Sequence, residues 1–434
     1  MRHIGSIPDQ SDALRFGDYL LAAGMKNHVE EGSNGWAVWV EDDDKLEAAK
    51  TELAAFLANP TLTSDRGFER GFEHFQPVIR ADGVTLASRF ADWYGERAKK
   101  TAQDAAQRPF FAWVHFIDPH QPYEPSPEHA VFDGPRPDQA KLVERWNGEL
   151  PRVAKLSPKV APIRFEEAVD RMVAQSNAYD GEVLAVDDGV GRILEALRAG
   201  GELDSTLVIF CADHGEMLFE HAAQPFLVEE KLQREDGLPE GVKDLFASGH
   251  RAWYFEDLWH VPLIFSGPGF APGARVEGLA ANLDLYPTIL EALDAPAPPQ
   301  LQGESLWRGA PPKRERVFAC SQPSRAVRER SGKKLIVYPQ RLYMLADDAP
   351  EPFEMFDVAR DPLEERDLSA SDPAEAARLR KLLETWRAEN DRAVDAETTA
   401  DQRRALIQMG YAGEGPDPAA PAAPAAGKRP KRDG

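Results

Sequence analysis

Cysteine is scarce in this sequence: Cys211 and Cys320 are the only two. Two thiols cannot build a disulfide framework, so nothing calls for an oxidising compartment. Long apolar runs are also missing, and no uninterrupted stretch approaches the roughly 20 residues that a membrane helix needs. The opening residues 1–26 carry acids rather than an apolar core with a small-residue cleavage site, which does not read as a signal peptide. Positive charge is in deficit as well, with 51 Lys and Arg against 73 Asp and Glu, a formal net charge of -22. Such a surface disfavours nucleic acid and anionic membranes as partners. An anionic ligand would need a local cationic site or a metal. The expectation from these deficits is a cytoplasmic protein with no membrane span.

The sequence does hold enough apolar side chains for a sizeable core. At 434 residues it is long enough for two or three domains. Its organising stretch is 205–221. Thr206 to Cys211 is a short, β-branched apolar run, suited to a strand buried on both faces, and it ends at once in Asp213-His214-Gly215-Glu216. In open α/β sheets ligands bind beyond the carboxyl ends of strands, where this acid and imidazole would stand. A polar strand exit without chemistry is the alternative for the motif taken alone.

A second apolar run, Pro109 to Ile117, ends in Asp118-Pro119-His120-Gln121-Pro122-Tyr123, whose prolines stiffen the loop around His120. Residues 82–108 read as a helix, 126–175 as an irregular excursion, and Tyr179 to Leu197 as an amphipathic helix stopped by Gly200-Gly201. Strand, helix and strand in that order make a βαβ crossover, so Phe111–Ile117 and Thr206–Cys211 are expected in one mostly parallel sheet. Val261 to Phe265 is another short strand, preceded by Gly249-His250-Arg251. His120, Asp213, His214 and His250 are therefore expected to share one cleft. His115, inside a strand, reads as a core histidine, His260 as structural, and His221 as second to the site or solvated.

Four units are expected: a small α+β unit over 1–60, an α/β unit over 61–316, a sheet-plus-helix unit over 317–412, and a Pro/Ala-rich disordered tail over 413–434. Within the first, a helix over Ala13–Leu21 precedes a hairpin turning at Asn34-Gly35. A second helix over Lys45–Leu57 is closed by Pro60.

Residues 1–60 resemble the cytoplasmic N-terminal domain of bacterial rhomboid proteases, through Ala13-Leu14-Arg15-Phe16-Gly17-Asp18-Tyr19-Leu20, Val38-Trp39-Val40 and the run from Glu52 to Pro60. The resemblance implies a borrowed binding or packing module, a candidate docking point for a protein partner, and no proteolysis.

Residues 67–412 resemble the sulfatase family of the alkaline-phosphatase superfamily. The resemblance rests on the run from Phe111 to Tyr123, Tyr179-Asp180-Gly181-Glu182-Val183, and Asp213-His214-Gly215-Glu216 with Glu220-His221. Gly249-His250, Asp284-Leu285-Tyr286-Pro287-Thr288 and Phe356-Asp357 with Asp361-Pro362 complete it. It implies an α/β parallel-sheet sandwich, incomplete here, and hydrolysis of a sulfate ester in a small molecule or sulfated glycan. Asp213 and His214 would hold a divalent metal. His120, His250 and Arg251 would bind sulfate, and the two histidines would also protonate the leaving oxygen. Ca²⁺ is the first expectation, with Mn²⁺ or Zn²⁺ favoured by the imidazole of His214.

The family's Cys-x-Pro-x-Arg or Ser-x-Pro-x-Arg nucleophile motif does not occur before Phe111. Ser321-Gln322-Pro323-Ser324-Arg325 fits the pattern in the wrong unit and reads as chance. Impaired turnover is thus expected, with no nucleophile assigned. An inactive binding protein of sulfatase fold, and a phosphatase or phosphomutase of the superfamily, stand as alternatives.

Overall fold

A computed structural model describes residues 2–7, 10, 13–14, 27–32, 35–40, 52–101, 109–136, 139–141, 143–144, 165–222, 246–250, 254–295, 297–298, 301–321, 324–338 and 351–390. At the N-terminus, β1 (Arg2–Ile7), β2 (Asn27–Gly32) and β3 (Gly35–Val40) form an antiparallel sheet in the order β1-β3-β2. The expected hairpin is β2–β3, closing with Gly32 opposite Gly35. β1 was not foreseen. Of the expected helix over Ala13–Leu21, Ala13 and Leu14 are helical and the rest lies outside the described residues.

The expected second helix is overturned in its last six residues. Glu52–Leu57 is a strand, β4, at the centre of a parallel ladder between β5 (His74–Pro77) and β6 (Phe110–His115). Ala54, Ala55, Phe56 and Leu57 are completely buried. Apolar groups on both faces and hydrogen-bonded neighbours on both edges outweigh the helical propensity of Leu and Ala.

Below this ladder lie α1 (Gly83–Thr101) and the long α2 (Phe165–Ala199). Leu86, Phe90, Trp93 and Tyr94 of α1 meet Phe56 of β4 and Leu197 of α2 in one core, with Ala112, Val114 and Val208 at its margin. α2 begins ten residues or more ahead of Tyr179, so part of the segment read as irregular is helical.

β7 (Val208–Cys211) pairs antiparallel with β10 (Leu263–Ser266), while β6 pairs with β4. The expectation that β6 and β7 share a sheet is therefore wrong. Each satisfies its ladder with another strand, and the two meet through side chains of the common core. β8 (Met217–Ala222) and β9 (Phe246–Gly249) form a further antiparallel pair, followed by the short helix α3 (Glu256–Trp259) and, beyond β10, by α4 (Leu285–Ala292).

The C-terminal unit is a four-stranded antiparallel sheet of β11 (Arg316–Ser321), β12 (Ser324–Glu329), β13 (Lys333–Val337) and β14 (Phe353–Asp357), with α5 (Pro373–Asn390) against it. Period-two alternation divides its two faces. Val327, Leu335, Val337 and Met355 pack on Ala376, Leu379 and Leu383 of α5. Ala326, Ile336, Tyr338 and Phe356 pack on Met217, Phe255 and Leu258. This second face braces the segments that carry the candidate site.

Candidate functional site

Three segments bring the site together. β7 ends at Cys211 and the chain turns through Asp213, His214, Gly215 and Glu216 into β8. The turn is fixed because the Gly215 N–H donates to the Leu258 carbonyl at 2.9 Å. A Cβ on Gly215 would lie 1.9 Å from the Asp257 carbonyl oxygen, so only glycine permits this approach. β9 pairs with β8, Met217 opposite Gly249, and so delivers His250. The loop after β6 carries His120. It is pinned to α2 by Glu182, which accepts the N–H groups of His120 at 3.2 Å and Glu124 at 2.6 Å.

The three rings converge. His214 stacks on His250 with centroids 4.3 Å apart, and His120 lies tilted against His250 at 4.9 Å. His250 Nδ1 is 2.8 Å from Glu216 Oε2, both side chains being almost fully buried. The other oxygen of Glu216 accepts the Tyr123 hydroxyl at 2.6 Å. His120 Nδ1 reaches the Gln121 carbonyl at 2.7 Å, and His214 Nδ1 the Gly215 carbonyl at 2.8 Å. One potential ligand atom from each of His214, Glu216 and His250 lies within 4.8 Å of the others.

Burial dominates the electrostatics. It pushes the His120 ring below its ordinary pKa, with the neighbouring His250 adding to the effect and the Gln121 carbonyl opposing it. Burial, followed by the charge of Glu216, pushes the Tyr123 phenol far up, so Tyr123 stays a hydrogen-bond donor. Glu182 is raised to about 7 by burial, against the two backbone N–H groups that favour its ionised form.

Of the residues singled out in the sequence, His120, His214 and His250 come together. Asp213 stands at the rim, its side chain 63% exposed, accepting the His214 N–H and lying 3.7 Å from His214 Nε2. Arg251 lies outside the described residues. His115 is half-buried, edge-on to Trp113, with its pKa lowered by burial. His221 is not merely solvated: it stacks on Phe255 at 3.7 Å and faces Asp257 at 3.3 Å. His260 is exposed and closes α3 through its N–H to the Glu256 carbonyl.

In the Ser-x-Pro-x-Arg pentapeptide Ser321 ends β11 opposite Ser324 of β12, the guanidinium of Arg325 is engaged by both oxygens of Glu351, and Gln322 and Pro323 lie outside the described residues. Glu216, Tyr123 and Glu182 were present in the motifs without a role. Two of them had a signal, adjacency to His214 and to His120. The link from Glu216 to His250 depends on the β8–β9 pairing, which no periodicity announced.

Comparison with known proteins agrees with this architecture. The sulfatase family model matches residues 56–295, and that of the cytoplasmic N-terminal domain of rhomboid serine protease matches residues 1–66. The multifunctional alkaline phosphatase superfamily protein PehA of Trinickia caryophylli is 26% identical over 73% of this chain and 63% of its own length. Choline-sulfatase of Rhizobium meliloti is 26% identical over 70% of this chain and 55% of its own, so the chain spans only part of either relative.

Among solved structures, a protein in complex with its substrate D-glucosamine-2-N,6-O-disulfate superposes with a TM-score of 0.55 at 16% identity, covering 81% of this chain and 82% of that one. The phosphonate monoester hydrolase of Agrobacterium radiobacter gives 0.52 at 20% identity, covering 80% of each chain. At these identities the superpositions establish the fold, which is that of the alkaline-phosphatase-like enzymes. With a family match across more than half of its length, and with its histidines and carboxylates gathered beyond the strand ends, the chain belongs to the sulfatase family.

Proposed function

We infer that the chain carries a metal-dependent hydrolase site of sulfatase type, directed at a sulfate ester of a small molecule or a sulfated glycan. The observation that carries this reading is the convergence of His120, His214, Glu216 and His250 from three separate segments. Hydrolysis of a sulfate ester demands charge neutralisation at the equatorial oxygens and a proton for the leaving oxygen. A divalent ion, when bound, supplies the first as a Lewis acid. His214, with Asp213 beside it at the rim, would hold that ion. Ca²⁺ remains the expectation from the resemblance, with Mn²⁺ and Zn²⁺ as the others.

His120 would serve the proton. Its lowered pKa leaves it neutral near pH 7, and an entering anion raises that pKa, so the ring can take up a proton and pass it to the departing oxygen. Glu182 fixes the loop that aims it. His250, and Arg251 next to it in sequence, would complete the wall facing the sulfate. No residue is proposed as nucleophile, so turnover by this chain is expected to be weak.

A second reading, a binding protein with no turnover, is favoured by the structural use of Arg325 in the only Ser-x-Pro-x-Arg segment. Among the described residues no helix is long and apolar enough to cross a membrane. Together with the match to a cytoplasmic domain, this supports a cytoplasmic location, with residues 1–60 as a docking module for a protein partner.

The test is hydrolysis of 4-nitrophenyl sulfate by the purified chain with Ca²⁺, Mn²⁺ or Zn²⁺. Slow, metal-dependent turnover is expected, lowered by His120→Ala on the order of 10²-fold and unchanged by Ser321→Ala. Turnover indifferent to metal and to His120→Ala would sink the reading. Saturable binding of a sulfated ligand with no turnover would select the second one.

A further inference from the structure

We propose that Asn282 is a positioning residue of the candidate site: both protons of its side-chain amide clamp the chain where it leaves β7, and a buried Asp284–Arg314 pair holds Asn282 in place. The inference rests on the reading of the Asp213-His214 turn as the reacting site.

The backbone poses the problem. The β7–β10 ladder ends with Cys211 opposite Leu263, so the carbonyls of Ala212 and Asp213 lie beyond its last pair. Carbonyls past a strand end need donors from elsewhere, and a turn without them is held less firmly. An Asn amide carries two N–H donors on one nitrogen. Asn282 Nδ2 lies 3.0 Å from the Ala212 carbonyl oxygen and 3.3 Å from that of Asp213, one proton for each. On the far side of the turn, the Gly215 N–H donates to the Leu258 carbonyl of α3. Asp213 and His214 therefore sit between two anchors.

Asn282 is itself fixed from beneath. It opens a single 3-10 turn, Asn282–Asp284, that leads into α4. The completely buried carboxylate of Asp284 accepts the N–H groups of Ala281 and Glu304, each at 2.8 Å, and two guanidinium nitrogens of Arg314 in a forked pair. The Asp284 carbonyl accepts the Thr288 hydroxyl at 2.5 Å, and the Thr288 oxygen accepts the Leu306 N–H at 2.9 Å. A Cβ on Gly303 would lie 2.0 Å from the Leu283 carbonyl oxygen, so the following segment presses directly on the turn. The buried acid thus carries the stability of the turn, while Asn282 is exposed and reaches across to the exit of β7. Replacing an exposed side chain opens no cavity, so a loss at the site would not be a loss of packing.

The experiment compares the full chain with Asn282→Leu, which keeps the size and loses both donors, and with Asn282→Gln, which keeps the NH₂ on a longer arm. Hydrogen exchange read by mass spectrometry follows the peptide containing residues 212–216, where the Gly215 N–H is protected while the turn is held. In Asn282→Leu that peptide should exchange about 10-fold faster, with the peptides of β12 and β13 unchanged. Mn²⁺ affinity by calorimetry and turnover of 4-nitrophenyl sulfate should each fall by roughly 10- to 100-fold. Asn282→Gln should recover part of every loss. Unchanged exchange at 212–216 in Asn282→Leu would overturn the proposal. So would equal acceleration in β12 and β13, which would make Asn282 an ordinary contributor to stability. Local acceleration with Mn²⁺ affinity and turnover intact would overturn it too, because the clamp would then position nothing that matters. An unmutated chain that neither binds Mn²⁺ nor turns over the ester would remove the hydrolase reading, and the exchange contrast would then decide the clamp by itself.

Discussion

Strands β6 and β7 carry the loops of the candidate site, while β12 and β13 carry none, and the two pairs are buried very differently. Every residue of β6 is only half-buried and β7 ends on an exposed cysteine. By contrast Ser324 to Val327 of β12 and Lys334 to Val337 of β13 are buried without interruption. The C-terminal sheet has apolar layers on both faces, and a completely buried Lys334 joins it to the site-bearing half. The Lys334 ammonium sits 3.0 Å from Glu256 and 2.8 Å from Glu364, over the Trp259 ring. Glu364 also accepts the Glu256 N–H at 2.6 Å, at the start of α3. Since α3 receives the Gly215 N–H, the rigid sheet holds the site turn by two links. The lesson is a division of labour: the two strands that lead into the candidate site are less deeply buried and take their geometry from a sheet that carries none of it.

The largest break in that arrangement should be Lys334→Met. Removing the cation takes away the charge that the buried Glu364 carboxylate faces, while Glu256 keeps Arg328 at 3.3 Å, and breaking such a buried pair costs about 3–5 kcal/mol. Denaturant unfolding measures it, and a loss under about 1 kcal/mol would mean that water reaches the network. Next, Leu335→Ala on the α5 face should cost about 2–5 kcal/mol. Val114→Ala, at a half-buried position of β6, should cost about 1 kcal/mol. Equal losses in the last two would erase the difference between the halves.

Much of this was legible in the sequence, for a physical reason. An apolar β-branched run cut off by Asp213-His214 has one natural place in an α/β layer, and the same holds for the run that ends at His120. The sheet-plus-helix unit was legible from Leu379, Leu382, Leu383 and Trp386 at helical spacing opposite strand-like segments. What escaped were features decided by distant partners. Glu52–Leu57 has the composition of a helix end and becomes a strand because β5 and β6 take up both of its edges. β6 and β7 were expected side by side, yet each pairs elsewhere, which is invisible in either segment alone. The role of Glu216 depends on β9, a partner with no alternation to mark it.

Gly215→Ala tests the link between the halves at its narrowest point. The added Cβ would overlap the Asp257 carbonyl oxygen, so the turn or α3 must move. Overpacking of this kind costs about 1–3 kcal/mol. The larger readout is at the site, where displacement of His214 from His250 should weaken divalent-ion binding while the C-terminal sheet stays folded. Undiminished binding would show that the turn is not what positions His214.

The last effect shows only as a pH dependence and concerns Glu182, which holds the His120 loop on α2. Burial raises its pKa to about 7, above the roughly 4.3 of an unfolded glutamate. A folded-state pKa above the unfolded value means that the native chain binds the proton more tightly. The stability contributed by this group is therefore fully present below about pH 4.3 and declines as pH rises to about 7, where it levels off. In Glu182→Gln that dependence disappears. The amide still offers one oxygen to the N–H groups of His120 and Glu124, but its NH₂ faces the other donor, which adds a pH-independent cost. Unfolding free energies of the two proteins, measured from pH 5 to pH 8, should converge as pH rises. The gap should narrow by on the order of 1–2 kcal/mol, allowing for screening by the polar surroundings. Curves that run parallel would show that Glu182 is already ionised at pH 5, with its two backbone N–H bonds outweighing burial.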